Sequence, residues 1–341
     1  MSVPHDPGCS IIILNYNGRH LLEKCLQSVL SQEYPSFEVL LVDNASQDDS
    51  VSFVQSEFPS VRIVRSDTNL GFAGGNNLGV RNAREALVVL LNNDTVVKGG
   101  WLKGLVEAVA GPDVAIASSL VITEGIPGRY YEKNGSINFL GHNIMRVFEN
   151  PGDIFYAGGA SLIYKKELLG LPFDEEYFAY GEDVYLGLRA RFMGYRVLHT
   201  NESRVDHLGG GTSGKQFTRR LQMLQERNRL TNTLLFFSMP TLFRLLPLFL
   251  ANFAGKCAAG IVAQRYSLLA ILWAHFEIVA RIPWLIRKRK LLRNNFSVRE
   301  GEVISRMSGR ITQGENTVGR ALDNIALLYH RLVGLKTIEL T

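Results

Sequence analysis

The first 120 residues alternate between short apolar runs and longer segments in which apolar residues recur every three or four positions. Unbroken apolar runs are typical of parallel strands that are covered on both faces, and the wider spacing is typical of helices. The predicted strands are Ser10–Leu14, Phe37–Val42, Val61–Val64 and Ala86–Leu91, and the predicted helices are Gly18–Ser31, Asp48–Phe58 and one after the glycine-rich Asn69–Gly79. This alternation predicts βαβ units, and therefore an α/β fold with a mostly parallel central sheet.

The pattern changes after this first part of the chain. From Val114 to about Gly214 it becomes mixed, with short strands, glycine-rich turns and one predicted helix over Glu182–Met193. A run of glycines, Gly209–Gly211, then precedes a shift in composition. We therefore expect two regions, residues 1–215 and residues 216–341.

The basic charge of the chain is concentrated in the second region. The net charge is +5, yet Arg219 to Arg299 holds fourteen Arg or Lys against two acids, Glu226 and Glu277. This segment is also rich in Leu, Phe, Ala and Trp. Such a combination indicates attachment to an anionic membrane surface, and no nucleic-acid-binding module accompanies it.

Two long apolar stretches, Leu242–Ala263 and Tyr266–Leu285, lie in this region. Charged residues interrupt both, whereas a bilayer-spanning helix needs about 20 mostly apolar residues. In-plane amphipathic helices fit better, followed by the basic run Arg287–Lys290 at the level of the headgroups. The alternative is an ordinary helical subdomain that packs on the rest of the protein.

Polar residues follow several of the predicted strands. Asn15 and Asn17 come after the first strand, Asp43 after the second, and Asn93 and Asp94 after the fourth. Ligands of parallel sheets bind beyond the carboxyl ends of the strands, so these residues are candidates for binding. Asp94 could hold a divalent cation or cap the next helix. Asp43 could accept hydrogen bonds from a base or ribose, or form a local turn.

The stretch Asn69–Asn76, which includes Gly71, suits a loop whose backbone passes close to a ligand. It is neither a P-loop nor a GxGxxG motif, which disfavours a dinucleotide cofactor.

Three further residues lie in the mixed part of the chain. Glu182 and Asp183 open a predicted helix after an aromatic stretch, where they are either helix caps or a general base with a raised pKa. His207 precedes the glycine run and is a candidate for contact with a metal ion or a phosphate.

Seven short motifs in this order resemble the inverting family-two glycosyltransferases of the GT-A fold. The similarity covers roughly residues 9 to 215 and is greatest to the rhamnosyltransferase-like branch that builds bacterial surface polysaccharides. The motifs are SIIILNYNG, LLVDNAS, NLGFAGGNN, LLNNDT, AGGASLIYKK, FAYGEDVYLGLRARFMGY and the H-x-x-G-G sequence at His207.

The resemblance implies a role for each candidate. Asn15, Asn17, Asp43, Asn93 and the segment with Asn69, Gly71 and Asn76 would bind a nucleotide-sugar donor of the dTDP-rhamnose or UDP-sugar type. Asp94 would be the last carboxylate of the DXD motif and, with His207, would bind Mg²⁺ or Mn²⁺. Asn92 replaces the first acid of that motif, and Tyr185 stands where the family often has a second acid. Asp183 would be the general base, with Glu182 as the competing assignment.

The resemblance predicts a metal-assisted hexosyltransferase with a GT-A domain and a helical, membrane-associating C-terminal region. Its acceptor would be a hydroxyl of a glycan or a polyprenyl-linked glycan. We expect it at the cytoplasmic face of the cell membrane as a peripheral or monotopic protein, with no nucleic-acid partner. Two alternatives stay open: a nucleotidyltransferase or sugar-nucleotide-modifying enzyme, and a non-catalytic membrane scaffold with a degenerate transferase domain.

Overall fold

The computed structural model describes residues 7–123, 132–146, 152–208, 218–262, 267–312 and 317–340. The chain forms two compact units. Unit 1 consists of Met1–Glu132, Val147–Leu186 and Tyr195–Lys215, and unit 2 of Lys133–Arg146, Gly187–Gly194 and Gln216–Thr341. The boundary expected between residues 215 and 216 lies outside the described residues, so that division stays a prediction.

The strands fall into one large sheet and one hairpin. They are β1 (Cys9–Asn15), β2 (Phe37–Asn44), β3 (Arg62–Ser66), β4 (Leu87–Asn92), β5 (Thr95–Val97), β6 (Val114–Thr123), β7 (Glu132–Ile137), β8 (Asn143–Arg146), β9 (Gly152–Asp153), β10 (Ser161–Lys165) and β11 (Arg196–His207). β7 pairs with β8, and the other nine strands form the large sheet.

Twelve α-helices lie within the described residues. They are α1 (Arg19–Leu30), α2 (Ser50–Glu57), α3 (Gly71–Asn82), α4 (Trp101–Ala108), α5 (Lys166–Leu169), α6 (Glu182–Phe192), α7 (Arg219–Phe236), α8 (Met239–Val262), α9 (Leu268–Ala280), α10 (Ile282–Arg293), α11 (Glu300–Ile304) and α12 (Thr317–Leu332). The four predicted strands of the first 120 residues and the first two helices predicted between them are confirmed, with ends that differ by a few residues. The third helix was predicted to follow Gly79, but it begins at Gly71.

The large sheet belongs to unit 1 and has the order β3-β2-β1-β4-β10-β6-β11-β5, with β9 paired to β11. β3, β2, β1 and β4 are mutually parallel, and β6 is parallel to β11. β10 runs antiparallel between β4 and β6, and β5 and β9 run antiparallel to β11. Six of the nine strands thus share one direction, which confirms the mostly parallel sheet.

The apolar runs in the sequence become the buried centre of this sheet. Ile11, Ile12 and Ile13 on β1 are all fully buried, so both faces of the strand are covered. α1 and α4 pack their apolar sides into the same core. Trp101 on α4 is fully buried and its indole N–H donates to Ser161 Oγ on β10, 3.0 Å away.

One local expectation is wrong. The glycine-rich segment predicted as a loop over Asn69–Asn76 is helical from Gly71 onward, as α3. The glycines allow this helix to lie close to the sheet. A Cβ atom at Gly75 would lie 2.4 Å from Leu14 Cδ1, and one at Gly79 would lie 2.5 Å from Ile12 Cγ2.

Unit 2 contains helices α7 to α12, so the predicted helical character of the C-terminal region is confirmed. Charged side chains hold α7 and α8 together: Lys256 Nζ donates to Glu226 Oε2 at 2.6 Å, and both residues are buried. Arg289 donates to the carbonyl oxygens of Leu234 and Phe237 near the end of α7. The sequence predicted the whole run Arg287–Lys290 to lie at the level of the headgroups. Arg289, however, is bonded to these two carbonyl oxygens and is not free to contact headgroups.

Among the described helices, α8 is long and apolar enough to cross a membrane, and α9 with α10 would qualify as a pair bent by 66°. Length and composition alone carry little weight. Lys256, which lies within α8, is buried and ion-paired to Glu226 of the same unit, whereas most of the apolar stretch of α8 is not buried.

The close approach of α3 to the sheet is testable at Gly79. We expect Gly79→Ala to lower the free energy of unfolding by about 2 kcal/mol, because the new methyl group would overlap Ile12 and Val42. Urea denaturation of both proteins measures the change. Gly99→Ala is the control, since a Cβ there meets nothing within 4 Å. Equal stability of the two variants would contradict the close packing.

Candidate functional site

The carboxyl ends of the parallel strands lie side by side in unit 1. In the sheet register Asn15 is opposite Asp43, and Leu14 is opposite Asn92. Asp43 is in turn opposite Arg65 on β3. The residues that follow β1, β2 and β4 therefore meet at one edge of the sheet, as the sequence predicted.

The first side-chain link across this edge joins β1 to the turn after β4. Asn93 Nδ2 donates to Asn15 Oδ1 at 2.8 Å, and both residues are buried. Asn15 Nδ2 donates to Ser46 Oγ, which also accepts from the Asn17 N–H. Gly18 is packed against the same amides, since a Cβ there would lie 2.4 Å from Asn93 Nδ2. The turn after β1 is thus held by side chains from two neighbouring strand ends.

Asp43 is fully buried at the end of β2. Its Oδ1 accepts from the Ser46 N–H at 3.4 Å. Its Oδ2 lies 3.8 Å from Arg65 Nε and accepts no hydrogen bond. A buried carboxylate oxygen without a donor is unfavourable, and an N–H or O–H group of a ligand would satisfy it.

Asn44, next to Asp43, fixes the turn before α3. Its Oδ1 accepts from the Leu70 N–H at 2.9 Å, and its Nδ2 donates to Asn69 Oδ1 and to the Gly71 carbonyl. Asn69 Oδ1 also accepts from the Gly71 N–H at 2.8 Å. Asn69 and Gly71 are therefore held at this edge by Asn44, and their role in binding stays a prediction.

Gly71 joins this turn to the segment that precedes α6. Its φ is +71°, and a Cβ there would lie 2.4 Å from the Phe178 carbonyl oxygen. That oxygen accepts from the Ala73 N–H at 3.0 Å. The aromatic segment before Glu182 and Asp183 is thereby fixed to the start of α3.

Asn76 lies deeper than expected. It is buried within α3, and its Nδ2 donates to the Phe72 carbonyl at 2.9 Å, one turn earlier. Its contact with a ligand was predicted because the segment was expected to be a loop, whereas the structure shows a helix there. A role in binding rests on the resemblance alone and stays a prediction.

Asp94 and His207 are brought together by strands far apart in sequence. β5 pairs antiparallel with β11, which sets His207 opposite Thr95. His207 Nε2 lies 3.2 Å from Asp94 Oδ1, and the Leu208 N–H donates to the Asp94 carbonyl. Asp94 is buried, whereas His207 keeps a partly exposed ring.

This pair fits a divalent cation only in part. A carboxylate and an imidazole are suitable ligands, and Mg²⁺ often takes one or two carboxylates together with substrate phosphates. Within the described residues, however, no three His, Cys, Asp or Glu side chains come close enough to hold an ion by themselves. A cation at Asp94 and His207 would therefore need further ligands from a bound diphosphate and water.

Glu182 and Asp183 begin α6. Burial, together with the neighbouring Asp183 carboxylate, raises the pKa of Glu182 to about 8. Burial raises the pKa of Asp183 to about 6. Asp183 is half-buried, whereas Glu182 is buried with its Oε2 free of any hydrogen bond. Asp183 is the more accessible proton acceptor, and its raised pKa suits a base near neutral pH.

Backbone strain is concentrated at these same segments. Among the described residues, four that are not glycine have a positive φ: Asn17 (51°), Ala45 (67°), Phe178 (61°) and Tyr180 (70°). Each lies within four residues of a predicted site residue. Such conformations are rare and cost of order 1–3 kcal/mol each, and they are often found at functional sites.

The sequence did not identify Asn44, Ser46 or Arg65 as members of the site. Asn44 and Ser46 lie within the same VDNAS motif as Asp43, so a polar turn after a strand was the available signal. No signal in the sequence pointed to Arg65, because its position beside Asp43 follows only from the pairing of β2 with β3.

Comparison with known proteins finds matches to glycosyltransferases. Residues 10–170 match the family model described as Glycosyl transferase family 2. The chain is 32% identical over 220 residues to the O-antigen biosynthesis protein RfbC of Myxococcus xanthus. This alignment covers 59% of this chain and 17% of RfbC. It is 31% identical over 120 residues to the glycosyltransferase AglE of Haloferax volcanii, and 28% identical over 120 residues to the succinoglycan biosynthesis protein ExoO of Rhizobium meliloti. These two alignments each cover 34% of this chain, and 40% and 34% of the respective relatives. The chain thus spans well under half the length of these relatives.

Solved structures share the fold. GalNAc-T7, solved with UDP, GalNAc and Mn²⁺, aligns with a TM-score of 0.56 at 16% identity, over 68% of this chain and 48% of that one. The mannosyltransferase PcManGT of Pyrobaculum calidifontis, solved with GDP-Man and Mn²⁺, aligns with a TM-score of 0.51 at 17% identity, over 98% and 87%. S. aureus TarS residues 1–349, solved with UDP-GlcNAc, aligns with a TM-score of 0.53 at 15% identity, over 96% of this chain and 90% of that one. The expected GT-A fold is confirmed.

The two acids at the start of α6 predict a dependence of stability on pH. Because both pKa values are raised on folding, these two acids bind more protons in the folded protein than in the unfolded chain above pH 4.5, and their contribution to stability falls as the pH rises toward 8. We expect Glu182→Gln to reduce this fall, measured between pH 5 and pH 8, by on the order of 2 kcal/mol. Urea denaturation at both pH values gives the two free energies.

Glu167→Gln is the matched control, since Glu167 is exposed. It should keep the pH dependence of the unsubstituted chain. An unchanged pH dependence in Glu182→Gln would contradict the burial of a titrating carboxyl at this position.

Proposed function

We propose that this chain, whose residues 10–170 match the model of glycosyl transferase family 2, is a glycosyltransferase that transfers a sugar with inversion from a nucleoside-diphosphate donor to a hydroxyl of a glycan or lipid-linked acceptor. The observation that carries the proposal is the meeting of Asn15, Asp43, Asn93 and the Asp94–His207 pair at one edge of the sheet. The family favours glycosyl transfer over nucleotidyl transfer. It also argues against a purely structural role.

The nucleoside would bind at the β1–β2–β3 end of this edge. The Oδ2 atom of Asp43 is buried and accepts no hydrogen bond, which suits the N–H of a base or the O–H of a ribose. Asn15 and Asn17 hold the adjoining turn through Ser46. Asn69 and Gly71 would line the other side of the nucleoside, because Asn44 fixes their turn beside Asp43.

The diphosphate would lie near Asp94 and His207. Asp94 directly precedes β5, and His207 is the last residue of β11. Asp94 also directly follows Asn93 in the sequence, just after β4. A bound Mg²⁺ or Mn²⁺ would be held by Asp94 and His207 and would neutralise the charge that develops on the departing diphosphate. The Asp94 carboxylate is buried and fixed by the sheet, so it orients whatever it binds.

The transfer itself needs one base. As the acceptor oxygen attacks the anomeric carbon, a new C–O bond forms and the bond from that carbon to the diphosphate oxygen breaks. The acceptor proton passes to the Asp183 carboxylate, and the electron pair leaves with the nucleoside diphosphate. Attack from the face opposite the leaving group inverts the anomeric centre. Asp183 is half-buried at the start of α6, and Glu182 is the competing assignment.

The donor and the pathway are inferred from the relatives. The donor we propose is of the dTDP-rhamnose or UDP-sugar type, and the solved neighbours carry UDP, GDP-Man or UDP-GlcNAc. RfbC and ExoO are named for O-antigen and succinoglycan biosynthesis. These names support a role in the synthesis of surface polysaccharide.

We also propose that the protein attaches to the cytoplasmic face of the cell membrane as a peripheral or monotopic protein. Of the exposed large apolar side chains in the described residues, all except Tyr16 and Leu208 lie between Met239 and Leu332 in unit 2. The same region holds the excess of basic residues. Apolar and basic surfaces together favour an anionic membrane, where a polyprenyl-linked acceptor would be presented.

Substitution of the proposed base tests the transfer step. We expect Asp183→Asn to lower turnover by about 100-fold or more while donor affinity stays within about threefold, because the amide cannot accept the acceptor proton. Release of nucleoside diphosphate from a nucleotide sugar in the presence of acceptor measures turnover, and calorimetry measures affinity. Near-normal turnover would reject Asp183 and move the test to Glu182.

Substitution of Asp94 tests the diphosphate end of the site. A thermal-stability scan with UDP, dTDP and GDP, each with Mn²⁺, identifies the donor nucleotide. We expect Asp94→Ala to weaken binding of that nucleotide about tenfold or more when Mn²⁺ is present, and much less without it. Asp113→Ala is the control, because Asp113 is exposed and pairs with Arg196. Equal loss with and without Mn²⁺ would contradict the cation site.

A further inference from the structure

Helix α12 exposes its apolar side. Five large apolar residues recur along one face every three or four positions and are between 42 and 76% exposed. They are Val318, Leu322, Ile325, Leu328 and Leu332. In a water-soluble helix, this face would normally be the one that packs against the protein.

The opposite side of α12 packs on the rest of unit 2, and two of its three buried residues are polar. Asp323, Ala326 and His330 are buried there. Asp323 Oδ1 accepts from the N–H groups of Ile311 and Thr312, at 3.0 and 2.7 Å. These bonds to a buried carboxylate fix the rotation of the helix about its axis, because turning the apolar face inward would break them and leave the carboxylate without its donors.

Two other contacts keep the helix in this orientation. The His330 ring lies 5.0 Å from the Phe139 ring, centroid to centroid, and the Tyr329 hydroxyl donates to the Arg244 carbonyl on α8. The exposed apolar face is therefore a built feature of unit 2. An exposed row of five large apolar side chains is typical of a surface that contacts a membrane or another protein.

We infer that the exposed face of α12 inserts into the headgroup boundary of an anionic phospholipid surface, with the helix axis in the plane of the membrane. This inference rests on the membrane attachment proposed above and assigns it to a specific element. α12 has 16 residues, a length of about 24 Å at about 1.5 Å per residue, which is short of the about 30 Å of a bilayer core. Only one side of it is apolar, as in-plane helices require.

The charges beside this face favour lipid over a second copy of the chain. Arg320 and Arg331 are exposed on α12, and the one acid of the helix, Asp323, is buried. Arginines at the edge of an inserted face would meet lipid phosphates. A second copy docked through the same face would instead bring the arginines of both copies together without an acid to pair them.

Flotation with lipid vesicles tests the assignment. The full chain is mixed with phosphatidylcholine vesicles that contain or lack phosphatidylglycerol, and the protein that floats is measured. We expect Ile325→Gln with Leu328→Gln to weaken binding to the phosphatidylglycerol vesicles about tenfold or more, because the change removes inserted apolar area without altering charge. Arg320→Gln with Arg331→Gln should weaken binding to these vesicles and leave binding to pure phosphatidylcholine unchanged.

The matched control is Asn324→Gln, a polar and exposed position on the same helix outside the apolar row. It should bind as the unsubstituted chain does. All variants should keep their far-UV circular dichroism and their release of nucleoside diphosphate in solution, which excludes misfolding and damage to the active site.

The outcomes separate the two proposals. If the unsubstituted chain floats and the Ile325/Leu328 variant floats equally well, membrane attachment stands and the assignment to α12 fails. If no protein floats, both fail, while the transferase chemistry is untouched. If sedimentation equilibrium without lipid gives a dimer that the variant converts to a monomer, the face binds a second copy and the lipid assignment is overturned.

Discussion

The constraint on which the candidate site depends is the register of three parallel strands. Hydrogen bonds along β2, β1 and β4 set Asn15 opposite Asp43 and Leu14 opposite Asn92. The three strands are buried on both faces, so a shift of one residue would move apolar side chains out of a packed core. The polar residues that follow each strand thus inherit their relative positions from the core. The side-chain bonds among Asn15, Asn93 and Ser46 then refine an arrangement that the backbone has already set.

The parts of the site that the sequence predicted are those that follow a strong local pattern. Apolar runs located β1, β2 and β4, and the carboxyl ends of parallel strands share one edge, so the pattern alone was enough to group Asn15, Asp43 and Asn93. The glycine-rich segment misled, because glycine commonly interrupts helices. In α3 its lack of a side chain serves close packing on β1 instead. Intrinsic propensity was outweighed there by tertiary contact.

Other features depend on pairings between distant segments, which no local pattern encodes. His207 reaches Asp94 because β11 pairs with β5, more than 100 residues earlier in the chain. Arg65 lies beside Asp43 only through the pairing of β3 with β2. The orientation of α12 is similar: its apolar period is evident in the sequence, but periodicity does not say which side packs inward. The bonds from Asp323 to residues 311 and 312 decide that, and they reverse the usual outcome.

The place of β10 in the sheet has a consequence for how the chain is made. β4 and β6 are successive long strands in sequence, yet β10 lies between them and bonds to both. A nascent chain that has emerged only as far as residue 123 therefore holds two sheet edges that do not pair with each other. Residues 161–165 must leave the ribosome before the gap closes, and residues 205–207 before β5 gains its partner. Until then β4 lacks its β10 partner, and an unpaired strand edge of this kind can bond to other chains.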